Sequence, residues 1–273
     1  MHDKRHINYY ATNKTGIFSY SSLMLYFTLL FLFLPLIVVV AYSFNSTKGT
    51  VWNGFSLKWY KDLFTSSPDL WRAFFNSVMI ALSSSVLATA LGTLASIGIK
   101  WYDFHAKKYI SLISYLPMIL PEVIIGISML IFFSAVNMRL GKLTIFIAHT
   151  TFNLPFVVMM VSARLDEFDY STVEAARDLG ATERETLTKV IIPSIMPAIA
   201  SSLLISVTMS LEDFVITFFV SGPGSSTLPL YVYSSIRYGV SPVINALSFV
   251  MILATLALTC IFRKFLKTVA ASA

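Results

Sequence analysis

The chain has 273 residues, of which 56% are hydrophobic and 12% charged, with a formal net charge of +6. At a mean hydropathy of +0.74 it has too little polar surface to cover a water-soluble globule, so lipid must solvate much of it. A single cysteine, Cys260, sits in an apolar stretch, which excludes a disulfide framework and a thiolate metal site.

Long apolar runs predict six transmembrane helices, at 23–44, 74–99, 109–134, 143–162, 195–220 and 243–262. Each run approaches or exceeds the roughly 20 residues that cross about 30 Å of hydrocarbon. They make one all-α membrane domain over 23–262, between an N-terminal segment 1–22 and a tail 263–273. The first run is long and lacks a small-residue cleavage pattern, so it reads as a retained anchor. Of the 20 Lys and Arg residues, 13 fall in 1–22, 100–108, 163–194 and 263–273. The positive-inside bias then places those segments, and both termini, in the cytoplasm. Lys48, Lys58, Lys61 and Arg72 in the first outer segment weigh against that assignment.

Within the runs, Pro35, Pro117, Pro121 and Pro155 each remove a backbone donor at membrane depth, where neighbouring helices or water must satisfy the carbonyls left over. The second run carries Ala81, Ser85, Thr89 and Thr93 at every fourth position, beside a row of Ala88, Gly92 and Ser96. Such rows of small residues allow two helices to approach closely.

The segment 163–194 encodes two short helices. Ser171 with Glu174, and Thr182 with Glu185, have the S/T-x-x-E spacing of a capping box. Between them Gly180 stands where a helix ends in a left-handed residue. The first helix sets Val173, Ala176 and Leu179 near one face, with Ala175 small enough for close contact, and Pro193 and Pro197 mark the entry to the fifth run. A bland amphipathic linker has the same periodicity.

Glu174-Ala175-Ala176, then Gly180, then Val190-Ile-Ile-Pro193, resemble the EAA loop of ABC-importer permeases. Val190 and Ile192 stand where that pattern favours isoleucine and leucine, which preserves apolar character. Asn45-Ser46, Leu116-Pro-Met-Ile-Leu-Pro-Glu122, His149-Thr-Thr-Phe-Asn-Leu-Pro-Phe156, Leu228-Pro-Leu-Tyr-Val-Tyr-Ser234, Gly239-Val-Ser-Pro242 and Asn245-Ala246 extend the resemblance to spermidine/putrescine permease subunits of PotC type. The resemblance implies a MetI-like permease fold and transport of polyamines across a bacterial inner membrane by alternating access. It makes Glu174, Ala175, Ala176 and Gly180 the coupling corner that seats in a cytoplasmic ATP-binding subunit. Its implied partners are a second paralogous permease, two copies of the ATP-binding subunit and a periplasmic polyamine-binding protein, with no nucleic acid. No cofactor would be bound by this chain, because ATP and Mg would sit on the ATPase.

The residues also speak to the cargo. No Lys or Arg falls within the six runs, whereas Glu122, Glu212 and Asp213 do. A charged residue at a helix centre costs roughly 2.5–3.5 kcal/mol to insert, so these three acids are candidates for a substrate pathway that favours cations. Carboxylates held by hydrogen bonds between helices fit the same pattern, and Glu212 and Asp213 on one helix would point about 100° apart. Trp52, Trp59, Tyr231, Tyr233 and Tyr238 lie on the predicted outer side, as cation–π surfaces or as an interfacial belt. His149 reads as a hydrogen-bonding packing residue without a second histidine at ligand spacing. The phosphate-loop, H-E-x-x-H and G-x-S-x-G patterns are missing, so ATP hydrolysis would fall to a partner and the chain reads as a transport subunit. A permease for another small solute, or a stand-alone cation channel or ion-coupled carrier, remains open on these residues alone.

Overall fold

The structure, a computed structural model, describes residues 20–49, 51–237 and 241–271, with side chains to 257. Tyr238, Gly239, Val240 and the side chain of Cys260 therefore lie outside the described residues. Every regular element among them is helical, and the chain forms two compact units that divide after Ser66 and after Tyr238.

The first unit holds helices α1 (Tyr20–Tyr42) and α2 (Lys58–Thr65) from one end of the chain and α12 (Pro242–Ala271) from the other. Helix α1 buries no side chain, as befits an apolar helix whose surroundings are lipid or other chains. The turn after it is built on Asn45. Its side chain donates to the Val51 carbonyl at 2.7 Å and accepts the Asn53 N–H at 2.9 Å, while Trp59 Nε1 donates to its carbonyl. Phe44 stacks on Phe55 at 5.3 Å and meets Tyr60 and Phe249. Trp59 is thus buried, with Lys58 already lying over its ring at 5.2 Å.

The second unit is organised by α3 (Pro68–Trp101) and α6 (Lys142–Asp166). The predicted rows of small residues are the buried face of α3. Gly92 shows why: a β-carbon there would come within 2.6 Å of Val157 on α6. Between these helices lie α4 (Lys107–Ile119) and α5 (Glu122–Ala135), and after them α7 (Ser171–Asp178). The three-residue α8 (Glu183–Glu185) runs through a π-helical turn at Thr186–Ile191 into α9 (Ile192–Glu212). Helices α10 (Val215–Val220) and α11 (Leu228–Arg237) complete the unit.

Among the described residues four helical segments are long and apolar enough to cross a membrane: α1, α3, α6 and the continuous run Glu183–Glu212. The α4–α5 pair makes a fifth, and α12 is apolar over Pro242–Ala257. The count of six holds, but two spans differ from their predicted form. The third is broken, with α4 and α5 meeting at 112°. Leu120 and Pro121 are both extended there, since proline disfavours a helical predecessor and has no N–H to continue the ladder. Pro35, Pro117 and Pro155 by contrast stay inside helices. The fifth span ends at Glu212 instead of continuing to 220.

Candidate functional site

The break after Glu212 is made by one side chain. Asp213 is extended, and its Oδ1 accepts the Ile216 N–H at 3.2 Å while Oδ2 accepts the Thr217 N–H at 2.9 Å and the Thr217 hydroxyl at 2.7 Å. Those N–H groups belong to the first turn of α10, where an Asp supplies the acceptor that the helix lacks. The carboxylate also faces His149 on α6, with Nε2 at 3.1 Å from Oδ2. The imidazole in turn lies 2.9 Å from the Thr217 hydroxyl and, through Nδ1, 2.6 Å from that of Ser210. With the ring proton on Nε2, His149 donates towards Asp213 and Thr217 and accepts from Ser210.

This break opens a cavity of about 320 Å³ lined by Glu122, Phe152, Met209, Glu212, Asp213, Phe214 and Val215. The three acids singled out in the sequence thus converge on one space that, among the described residues, no Lys or Arg lines. Glu122 reaches it because the Pro121 break puts it in the first turn of α5, where the helix dipole also favours an anion. Glu212 and Asp213 share it because Asp213 has left the helix, so the 100° separation of successive helical residues does not apply. Their exposures differ. Glu122 and Glu212 are exposed, whereas Asp213 is 8% exposed and His149 2%. The role of His149 was not readable from sequence because its partners lie 61 to 68 residues away. Phe214 on the cavity wall meets the tilted ring of Tyr233 with centroids 4.5 Å apart, so Tyr233 borders the site while Tyr231 is half-buried.

The loop 163–194 forms the expected corner. Gly180 has φ +84°, its N–H donates to the Arg177 carbonyl at 2.9 Å, and the Ala181 N–H donates to the Ala176 carbonyl at 3.0 Å. These two bonds are the Schellman pattern that closes a helix through a left-handed glycine. Thr182 and Glu185 make the second capping box, with Glu185 N–H to Thr182 Oγ1 at 3.3 Å and Thr182 N–H to Glu185 Oε2 at 3.1 Å. The hydrogen bond from Lys189, followed by those from Thr182, holds the Glu185 carboxyl down at about 2.

One expectation for this loop fails. Ser171 does not cap α7: its N–H is donated to Asp169 Oδ1 at 3.0 Å, and the cap position is Tyr170. That backbone bond, with the Ser171 hydroxyl, holds the Asp169 carboxyl below its ordinary range. Val173 is buried, whereas Leu179 at the end of α7 is 90% exposed. Glu174, Ala175 and Gly180 are exposed with it, and Ala176 is half-buried. The opposite side of the loop is tied to α3. Lys100 Nζ contacts both Asp166 oxygens at 2.6 and 2.7 Å, Trp101 packs on the Tyr170 ring, and Tyr102 donates to Glu183 Oε1 at 2.6 Å. The Glu183 bond and charge push the Tyr102 phenol up.

A bundle of long apolar helices, two of them interrupted beside an acidic cavity, defines a membrane transport component. The family model for the binding-protein-dependent transport system inner membrane component matches residues 88–271, and the chain belongs to that family. It is 38% identical over 229 residues to the spermidine/putrescine transport system permease protein PotC of Escherichia coli K12, covering 84% of this chain and 86% of the relative. It is 42% identical over 234 residues to the putrescine transport system permease protein PotI of the same strain, covering 83% and 82%. Among solved structures, a chain of a bacterial ABC transporter that imports the acidic polysaccharide alginate superposes with TM-score 0.67 at 16% identity, covering 89% of this chain and 94% of that one. The MetNI methionine ABC transporter gives 0.59 at 19% identity, covering 71% and 94%. These two establish the fold.

Proposed function

We propose that this chain is the permease subunit of an ATP-driven importer that moves spermidine or putrescine across the inner membrane by alternating access. The observation that carries this reading is the convergence of Glu122, Glu212 and Asp213 on one cavity that no basic residue lines among the described residues. A polyamine carries several ammonium groups at neutral pH, and such a cation offsets the cost of placing these acids at membrane depth. The identities of 38% and 42% to polyamine permeases support the same cargo. Glu122 and Glu212 are the exposed carboxylates along the route, while Asp213 shapes its wall.

Driving force enters at the corner around Gly180, where Glu174, Ala175 and Leu179 form the exposed surface for a cytoplasmic ATPase. ATP and Mg are bound there and not by this chain, which is a transport subunit and not an enzyme. A paralogous permease, a second ATPase copy and a periplasmic binding protein complete the assembly, and both termini face the cytoplasm. The test is uptake of labelled spermidine and putrescine into proteoliposomes holding the purified assembly and its binding protein. Uptake that requires both ATP and the ATPase subunit supports the reading. ATP-independent flux driven by membrane potential would make the chain a channel or carrier instead.

A further inference from the structure

Behind the cavity wall, in contact with Asp213, lies a buried histidine that cation passage by itself does not call for. We propose that His149 is a positioning residue for transport, fixing the Asp213 carboxylate and the backbone break beside Glu212 in the arrangement that lines the cavity. The proposal rests on the reading of that cavity as the cation route.

The geometry is specific. His149 enters from α6, and its partners lie on both sides of the break: Ser210 in the last turn of α9, then Asp213, then Thr217 in α10. Ser210 continues the chain of contacts to Ser84 on α3 at 3.4 Å. One imidazole therefore joins α6 to the end of one helix and the start of the next. The charged group facing it directly is Asp213, with Glu122 and Glu212 lining the same cavity. Without the ring, Asp213 would keep only its contacts to α10, and nothing from α6 would oppose its repulsion by two like charges. A buried carboxylate that loses a partner either shifts or takes up a proton, and both change the charge presented to the cation. The acidic wall is thus a property of four residues and not of three.

The experiment uses the full assembly in proteoliposomes with loaded binding protein and labelled spermidine. His149→Leu is expected to lower transport turnover about tenfold or more, because misplaced groups lose their effect steeply with distance. The concentration of binding protein giving half-maximal uptake and the basal ATP hydrolysis should stay near wild type. His149→Gln keeps a donor and an acceptor and should retain at least half of the turnover. Wild-type turnover in His149→Leu overturns the proposal, and so does a His149→Gln variant that assembles yet falls as far as leucine. If His149→Leu does not assemble, the isosteric Thr217→Val decides. It removes one donor from Asp213 and should lower turnover about threefold; unchanged turnover would overturn the role. The double variant Glu122→Gln, Glu212→Gln separates the two claims. Wild-type import there overturns the cation route, whereas low import there beside a normal His149→Leu overturns only the positioning.

Discussion

Replacing Gly180 by valine isolates the backbone geometry of the coupling corner. Gly180 has φ +84°, and a β-carbon built on it meets nothing within 4 Å, so no steric clash with neighbours contributes. The cost is that of forcing an L-residue into the left-handed region, about 1–2 kcal/mol, with β-branched residues at the upper end. That corresponds to a factor of roughly 5–30 in the population of the native corner. Asparagine tolerates the same region because its short side chain can bond locally, and alanine lies between. Uptake by the reconstituted assembly should therefore rank glycine, asparagine, alanine, valine, while insertion and expression stay constant. Equal uptake by Gly180→Val and wild type, or Gly180→Asn as impaired as valine, would mean that the left-handed backbone at this corner does not govern coupling.

Tyr102→Phe should partly uncouple the assembly, lowering uptake more than ATP hydrolysis, since it removes the 2.6 Å bond by which the end of α3 holds the second helix of the corner; equal loss of both would contradict that. Gly222→Ala should lower thermal stability by about 1–3 kcal/mol, because the new methyl would overlap the Leu140 carbonyl backbone, and a melting curve in detergent would read the shift. The Glu185 carboxyl sits at about 2 against an ordinary value of 4.5, so its contribution to the second capping box is complete above 4.5 and is lost as pH falls towards 2. Hydrogen exchange at the Thr182 amide, which donates to that carboxyl, should accordingly lose relative protection between pH 5 and pH 3 in wild type but not in Glu185→Gln.

What could be read in the sequence depended on how local its cause is. The Gly180 corner and the Thr182–Glu185 box were legible because every bond in them joins residues within a few positions. The Ser171 box failed for a local reason as well: Asp169, two residues earlier, takes the Ser171 N–H. The exposure of Leu179 was not legible, because periodicity shows that a helix has an apolar face but not which part of it a neighbour covers. The six apolar runs were visible through hydropathy, yet the end of α9 was hidden inside one of them, because its signal is a single carboxylate bonding forward to Ile216 and Thr217. The acids were recognisable as costly residues at membrane depth, whereas their convergence needs the breaks at Pro121 and Asp213 together. His149 was legible only as a packing residue, since its partners come from other helices.

The carboxylates themselves offer the most direct test. Glu122→Gln and Glu212→Gln remove charge from the two exposed positions while keeping size and hydrogen-bonding capacity, and Asp213→Asn does the same at the buried one. Labelled spermidine uptake should be measured in proteoliposomes holding each variant with its ATPase and binding protein. A cation route through this cavity requires uptake reduced about tenfold or more in each single variant, with assembly and basal ATP hydrolysis near wild type. Wild-type uptake in all three would contradict it and remove the acidic cavity from the path of the cation.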